Sequence, residues 1–233
     1  METKNKWESI NVGDKNMSLF LAYPYSEKKL PVVVLFQEIF GVNHHIRDVA
    51  ERIAKEGYFV VAPDLFHREI ERYEADYNEE GMKKGFELYP KITNEIFLND
   101  VKYVFDSLKN YENANTEEVF TMGFCMGGRL TYLSACEFKL KGALSFYGGG
   151  LAQTLLDKTN KISCPIKLFF GGKDSYISHE NVEQIRNSLT ENKKDFEIFF
   201  YPEADHGFFC NERGSYNPEA ASDAWEKVKL FLK

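Results

Sequence analysis

A glycine-rich turn in the middle of the chain constrains the fold more than any other feature. The segment Gly123-Phe124-Cys125-Met126-Gly127-Gly128 follows an apolar run, residues 119–122, and precedes a helix-compatible stretch, residues 129–135. A strand that turns directly into a helix leaves little room beside its apex, so the flanking positions must be nearly free of side chains. The pattern therefore predicts a strand-to-helix turn with Cys125 exposed at a helix N-terminus, where unpaired N–H groups and the helix dipole favour a thiolate.

Two polar residues downstream can complete a catalytic triad with this cysteine. Asp174 follows the apolar run 166–170, and His206 follows the run 196–201. An imidazole can hold the proton of the cysteine and pass it to a leaving group, while a carboxylate on the other ring nitrogen fixes the tautomer. The order nucleophile, acid, histidine, with each residue after a predicted strand, indicates an α/β-hydrolase triad.

Each triad residue has a simpler interpretation when it is taken alone. Cys125 could be a buried structural cysteine, Asp174 a turn residue and His206 an ordinary loop histidine. Asp205 is a rival acid, but it adjoins His206 and is expected to point away from the ring. The joint pattern favours the triad, because three independent matches in the right order rarely coincide.

The loop after residues 30–36 is the expected position of an oxyanion hole. That run is continuously apolar, as in a parallel strand buried on both faces. In this fold one oxyanion-hole N–H belongs to the residue after the nucleophile, here Met126, and Ile39 is the best candidate for the other. Glu38 is unusual in this loop, because a carboxylate beside a thiolate raises the pKa of the thiol. Its alternative interpretation is a solvated loop acid.

Four motifs, spread over nearly the whole chain, carry a resemblance to a known family. They are Gln-Glu-Ile-Phe-Gly at 37–41, Gly-Phe-Cys-Met-Gly-Gly at 123–128, Gly-Lys-Asp at 172–174 and Asp-His-Gly-Phe at 205–208. Together they resemble the dienelactone hydrolases (carboxymethylenebutenolidases) of the α/β-hydrolase fold. The resemblance implies a single domain over residues 1–233, with a mostly parallel sheet of about seven to eight strands and helices on both faces.

The resemblance also implies roles for the residues singled out above. The triad and the two oxyanion-hole donors would be Cys125, Asp174, His206, Met126 and Ile39. Glu38 would hold the resting thiol neutral until substrate displaces the carboxylate, which then takes the thiol proton. Tyr147 and Tyr176 match family positions expected to line the substrate pocket.

The chain departs from the family pattern where the carboxylate of dienelactone would bind. Enzymes that act on dienelactone hold that carboxylate with two arginines, and Met82 occupies the position of the first. The second would fall near Cys210, whereas this chain has Arg213. We therefore expect an ester or lactone substrate, with weak turnover of dienelactone-type carboxylates relative to uncharged esters or lactones of similar size, and Arg213 as a candidate substrate-binding residue.

These residues predict a cysteine-dependent hydrolase of carboxylic esters or lactones that forms a thioester acyl-enzyme without a cofactor. One alternative is a redox-sensing or peroxide-reactive thiol, with Cys210 as the resolving cysteine if it folds close to Cys125. Another is a non-catalytic binding module, which is disfavoured because all three triad residues are present. No metal site is expected, since His44, His45 and Asp48 match no ligand spacing.

Composition argues against several classes of partner. Lys plus Arg number 29 and Asp plus Glu 36, a net charge of −7, so nucleic acid and anionic membranes are poor partners. We find no run of 18 apolar residues, and the four cysteines lack C-x-x-C spacing. We therefore expect a cytoplasmic monomer or homodimer that acts on a small molecule and binds neither nucleic acid nor membrane.

Strand and helix signals alternate along the chain, which indicates a mostly parallel sheet. An early strand is predicted at 17–22, paired antiparallel with a shorter one around 7–10. Residues 67–94 carry many charged and aromatic residues and are expected to form an excursion above the sheet. A closing helix is predicted over 218–232. Its predicted inward residues are Ala221, Trp225, Val228 and Phe231.

Overall fold

The computed structural model describes residues 2–233 of the chain. In this range the strands are β1 (Thr3–Val12), β2 (Lys15–Pro24), β3 (Leu30–Phe36), β4 (Phe59–Pro63), β5 (Ala114–Phe124), β6 (Gly142–Phe146), β7 (Ile166–Gly171) and β8 (Phe196–Tyr201). They form one eight-stranded, mostly parallel sheet in the order β1-β2-β4-β3-β5-β6-β7-β8. The predicted strand number and direction are thus confirmed.

Helices alternate with these strands, as expected for an α/β protein. They are α1 (His44–Lys55), α2 (Glu79–Leu88), α3 (Asn94–Ser107), α4 (Met126–Glu137), α5 (Leu151–Thr154), α6 (His179–Glu191) and α7 (Pro218–Leu232). Short 3-10 turns span Tyr89–Lys91, Leu108–Asn110 and Leu156–Lys161. The chain divides into two compact units, the first ending at residue 120 and the second covering residues 121–233. The expectation of a single domain stays a prediction.

In the first unit an antiparallel hairpin continues into parallel strands. β1 pairs with β2 over ten residue pairs, β2 pairs antiparallel with β4, and β3 runs parallel to β4. The helix after β3 is α1, which Asn43 caps by accepting the N–H of Ile46 at 3.3 Å. Its buried face includes Ile46, Val49 and Ile53, which recur at the spacing of one helix face.

In the second unit β6, β7 and β8 run parallel to one another. α4 packs against β6 and is buried from Met126 to Cys136. α6 starts with a reciprocal capping box between Ser178 and Asn181. The carboxyl ends of β7 and β8 carry the loops that contain Asp174 and His206.

The closing helix has the predicted bounds but a different buried face. Trp225 and Phe231 are only half-buried, whereas the prediction placed both inward. The buried residues of α7 are Ala220, Ala221, Ala224, Val228 and Leu232. Small alanines let the helix backbone approach its neighbours closely, so the two large rings lie at the border of the stripe. There the ring of Phe231 packs near the amine of Lys167, 5.4 Å from the ring centroid.

Candidate active site

Cys125 is the single residue between the end of β5 and the start of α4. Its backbone has φ 55° and ψ −115°, a region that residues other than glycine rarely adopt. The strain is held in place because the Cys125 N–H donates to the carbonyl of Phe146 at 3.0 Å. The Cys125 carbonyl in turn accepts the N–H of Arg129 at 3.2 Å, which starts the helix. The half-buried Cys125 therefore stands at the apex of the predicted turn.

Close backbone packing explains the glycines on either side of this cysteine. A Cβ added to Gly123 would lie 2.3 Å from the carbonyl oxygen of Gly127. A Cβ added to Gly128 would lie 2.2 Å from the carbonyl oxygen of Phe146, the same oxygen that Cys125 bonds. Both neighbours are backbone atoms of regular elements, so neither can move aside cheaply.

The carboxylate of Asp174 is fixed by its own loop and by His206. Its Oδ1 accepts the backbone N–H groups of Tyr176 at 2.8 Å and Ile177 at 3.1 Å. Its Oδ2 lies 2.8 Å from His206 Nδ1, which donates its proton to the carboxylate. The rival Asp205 is exposed, and its Oδ1 accepts the backbone N–H of His206 at 2.6 Å. Asp174, and not Asp205, is thus the carboxylate on the imidazole ring.

His206 is buried and interacts with both Asp174 and Cys125. Burial, the largest single influence, lowers the pKa of His206, and the negative charge of Cys125 is the largest of several influences that oppose it. Together with hydrogen bonds to Asp174 and to Cys125, this charge raises the pKa of His206 to about 10. The second unit therefore brings the sulfur, the imidazole and the carboxylate into one hydrogen-bonded row.

Two tyrosines contact the imidazole ring edge-on. The ring of Tyr147 lies 5.0 Å from that of His206, is fully buried, and has a positive φ of 35°. The ring of Tyr176 also lies 5.0 Å from His206 but is 54 % exposed. Tyr147 therefore supports the ring from inside, whereas Tyr176 presents an aromatic surface to solvent beside it.

Arg213 folds back onto the loop that carries His206. The backbone turns between Cys210 and Arg213, with an N–H to carbonyl hydrogen bond of 3.2 Å. The guanidinium then packs over Gly207, within 2.5 to 2.6 Å of the point where a Cβ would stand. A positive charge thus lies next to Gly207, the residue that follows His206. Arg213 supplies this charge although it stands three residues after Cys210, where the family arginine was expected. Cys210 itself is fully buried.

Glu38 and Ile39 lie in the first unit, in the loop after β3. Glu38 has no exposed surface, so it is not a solvated loop acid, and it accepts a 2.8 Å hydrogen bond from the hydroxyl of Tyr77. Ile39 is also buried, and Gly85 of α2 packs against its carbonyl so closely that a Cβ there would lie 2.7 Å away. The Tyr77 contact was not predicted from the sequence. The only sequence signal for it is the aromatic content of residues 67–94.

The predicted site residues therefore fall into two groups, one in each unit. Those in the second unit are Cys125, Met126, Tyr147, Asp174, Tyr176, His206 and Arg213, and those in the first are Glu38 and Ile39. Met82, at the position of the missing arginine, is half-buried on α2. Among residues 2–233 we find no group of three or more His, Cys, Asp or Glu side chains that could hold a metal ion.

Comparison with known proteins decides the family. The sequence profile of the dienelactone hydrolase family matches residues 17–233. The chain belongs to the dienelactone hydrolase family.

Relatives in this family match over nearly their whole length. A protein of Synechocystis sp. inferred to be a carboxymethylenebutenolidase is 41 % identical and aligns over 96 % of this chain and 95 % of its own. A protein of Escherichia coli K12 with the same inferred activity is 35 % identical, over 97 % and 85 % of the two chains. The crystal structure of an inferred dienelactone hydrolase from Klebsiella pneumoniae superposes with a TM-score of 0.90 at 32 % identity, covering 100 % of this chain and 99 % of that one.

Membership of the dienelactone hydrolase family confirms two predictions. The chain has the fold predicted from its motifs, and it is a hydrolase of the dienelactone hydrolase type, which acts on carboxylic esters. No helix within residues 2–233 combines the length and the apolar character that a membrane crossing requires.

Proposed function

We propose that the chain hydrolyses carboxylic esters or lactones with Cys125 as nucleophile, His206 as general base and Asp174 as the acid that orients it. One observation carries the proposal. The Asp174 carboxylate lies 2.8 Å from one nitrogen of His206, and Cys125 hydrogen-bonds the same side chain from the apex of a strained strand-to-helix turn. A buried structural cysteine has no need of such an arrangement.

In the acylation step the thiol proton passes to the ring nitrogen of His206 that does not face Asp174. The sulfur attacks the carbonyl carbon, a C–S bond forms, and the carbonyl electrons move onto oxygen. The N–H of Met126, which opens α4, is proposed to donate to that oxyanion. The C–O bond to the leaving group then breaks, and the leaving oxygen takes the proton from His206, which yields a thioester.

Hydrolysis of the thioester uses the same residues in reverse. Water gives a proton to His206 as its oxygen attacks the acyl carbon, and the C–S bond breaks as the intermediate collapses. The departing sulfur takes back the proton from His206, and the carboxylic acid is released. Asp174 stays ionised throughout and stabilises the imidazolium in both steps.

Glu38 and Ile39 are proposed to act in the same reaction, on the strength of the motif at residues 37–41. The N–H of Ile39 is assigned as the second oxyanion donor. Glu38 is assigned to keep the thiol protonated between turnovers, since a carboxylate opposes the pull of His206 on the thiol proton. That the carboxylate itself accepts this proton when substrate binds stays a prediction.

The substrate is proposed to be a small ester or lactone with at most one anionic group. Arg213 lies beside the His206 loop and can bind one carboxylate, whereas Met82 cannot replace the first arginine of dienelactone-cleaving enzymes. Tyr147 and Tyr176 are proposed as the aromatic residues nearest the acyl group. A cytoplasmic location and a monomeric or homodimeric state stay predictions.

Burst kinetics with 4-nitrophenyl acetate test this function. The parent should release a stoichiometric burst of nitrophenol followed by slower turnover, because acylation and deacylation are separate steps. Cys125→Ala should abolish both phases, and His206→Ala should reduce the rate at least about 1,000-fold, since the triad acts as a unit. Cys136→Ala is the matched control, because burial raises the pKa of the Cys136 thiol to about 12 and keeps it inert. Undiminished hydrolysis by Cys125→Ala would refute the proposal.

A further inference from the structure

Glu38 receives a hydrogen bond that the proposed mechanism does not use. The hydroxyl of Tyr77 donates to Glu38 Oε2 at 2.8 Å, and the Glu38 side chain has no exposed surface. Removing a carboxylate from water is costly unless protein donors replace the lost hydration. A phenol that donates to a buried carboxylate therefore favours its charged form and limits its rotation.

Tyr77 is the last residue of a short segment, residues 73–77, which we call the strap. The strap is hydrogen-bonded along the loop that contains Glu38. The Ala75 N–H donates to the carbonyl of Phe40 at 3.1 Å, and Glu74 forms an isolated β-bridge with Gly41. Gly41 has φ 80°, and a Cβ there would lie 1.8 Å from the carbonyl oxygen of Tyr73. The backbones of strap and loop are thus in direct contact, at a position that only glycine permits.

Side chains fix the strap at two further points. Arg47 of α1 makes a bidentate pair with Glu74, at 2.7 and 2.9 Å, and also donates to the carbonyl of Val42 at 2.7 Å. The ring of Tyr77 packs against that of Phe40, with centroids 4.5 Å apart. The phenol is therefore held by its backbone and its ring, so its hydroxyl reaches Glu38 from a fixed direction.

We propose that Tyr77 is a positioning residue of the hydrolase, whose hydroxyl holds the Glu38 carboxylate in one orientation. The inference rests on the proposed function, in which Glu38 keeps the Cys125 thiol protonated at rest. It adds a residue outside the family motifs from which the site was predicted. Its effect on the thiol is indirect, because Tyr77 acts only through Glu38.

The direction of the effect follows from charge. Without the hydroxyl, the buried carboxylate loses the donor that fixes its direction and can rotate. A carboxylate that has turned away opposes ionisation of the thiol less, so the thiolate of Cys125 forms at lower pH. Glu38→Gln removes the charge completely and should produce the same change to a greater extent.

The test is the rate of alkylation of Cys125 by iodoacetamide as a function of pH. Tyr77→Phe keeps the ring that packs on Phe40 and deletes only the hydroxyl. Tyr73→Phe is the matched control, because it lies on the same strap and its buried hydroxyl has no hydrogen-bond partner within residues 2–233. Alkylation measured in Cys125→Ala, whose other three cysteines are buried, supplies the background.

We expect the midpoint of the alkylation profile to fall by about one pH unit or more in Glu38→Gln. In Tyr77→Phe it should fall by about half as much, with about threefold faster alkylation at pH 7. The double variant Tyr77→Phe/Glu38→Gln should match Glu38→Gln alone, because the tyrosine has no carboxylate left to act on. Tyr73→Phe should match the parent.

The measurements distinguish a failure of the role of Tyr77 from a failure of the role of Glu38. A parental profile in Tyr77→Phe together with a shifted one in Glu38→Gln overturns the inference and leaves the role of Glu38 standing. A further shift in the double variant also overturns it, because Tyr77 would then act by another route. An unchanged profile in Glu38→Gln overturns the assigned role of Glu38 and the inference with it. If Tyr77→Phe does not fold, Glu38→Asp, which draws the carboxylate back by one methylene, must lower the midpoint.

Discussion

At the scale of single residues, the charge on His206 depends on Cys125. The pKa of His206 is raised to about 10, so the imidazolium is favoured while the sulfur is negative. A histidine whose pKa is raised on folding contributes stability that is fully present below its ordinary value of 6.5 and is lost as pH rises through about 10. Whenever the sulfur carries a negative charge, its pairing with the imidazolium therefore stabilises the folded protein.

Arg213 is proposed to set the preference for charge in the substrate, and Arg213→Ala tests this role. We expect kcat/KM for an ester that carries a carboxylate to fall about 10- to 100-fold, the value of one charge-assisted contact. The value for a neutral ester of similar size should change less than about twofold. Two other arginines already have partners in the first unit, because Arg68 binds Asp100 and Arg72 stacks on Trp7.

Steady-state kinetics on the two esters make this measurement. Arg186→Ala on α6 is the control, since that arginine is exposed and pairs with Glu183. Equal losses on both substrates would show that Arg213 only supports the His206 loop and does not bind the carboxylate.

At the scale of elements, the turn between β5 and α4 is the most tightly determined part of the chain. The turn consists of one strained cysteine with glycines that pack on backbone carbonyls. The hydrogen bond from the Cys125 N–H to the carbonyl of Phe146 in β6 offsets this backbone strain. Cys125 therefore lies between two regular elements, which fix its position better than a long loop does.

Gly128→Ala should disrupt this turn, because its methyl group would lie 2.2 Å from the carbonyl oxygen of Phe146. We expect a loss of about 3 kcal/mol or more in the free energy of unfolding, and a large loss of esterase activity in any folded fraction. Gly149→Ala is the control, since a Cβ at that position meets nothing within 4 Å. Urea denaturation of both variants measures the two free energies of unfolding, and equal values would contradict the packing argument.

At the scale of the whole molecule, stability should depend on pH through a buried acid outside the proposed triad. Asp64 follows β4 and accepts the backbone N–H groups of Phe66 at 3.1 Å and Arg72 at 2.6 Å. Burial nevertheless raises the pKa of Asp64 to about 6, because it disfavours the charged form. The folded protein therefore binds a proton more tightly than the unfolded chain does.

The free energy of unfolding therefore falls as pH rises through this range, whereas a salt-bridged acid would make it rise. An acid whose pKa rises on folding contributes most below its ordinary value of 3.8, and this contribution is lost as pH rises to about 6. We expect up to about 3 kcal/mol less free energy of unfolding at pH 7 than at pH 4 from this residue alone. Asp64→Asn should remove that slope, as urea denaturation between pH 4 and 7 would show. An identical slope in parent and variant would contradict the assignment.

Sequence reasoning found the features that depend on local geometry. The glycines around Cys125, the apolar runs before Asp174 and His206, and the bounds of α7 all follow from turn sterics and residue periodicity, which involve only neighbours in the chain. For the same reason a mostly parallel sheet could be predicted, since alternating strands and helices permit few other arrangements.

Tertiary packing decided which residues that are distant in the chain come into contact. The guanidinium of Arg213 reaches Gly207 by a turn that no periodicity marks, and Tyr77 meets Glu38 across 39 residues of chain. Alanines, and not Trp225, likewise form much of the inward face of α7. The space available between packed elements decides which side chain fits there, whatever the hydrophobicity of a single residue. The sequence by itself thus determined the fold and the candidate triad. Only the folded chain decided which side chains support the triad and Glu38, because those contacts depend on distances that no single segment encodes.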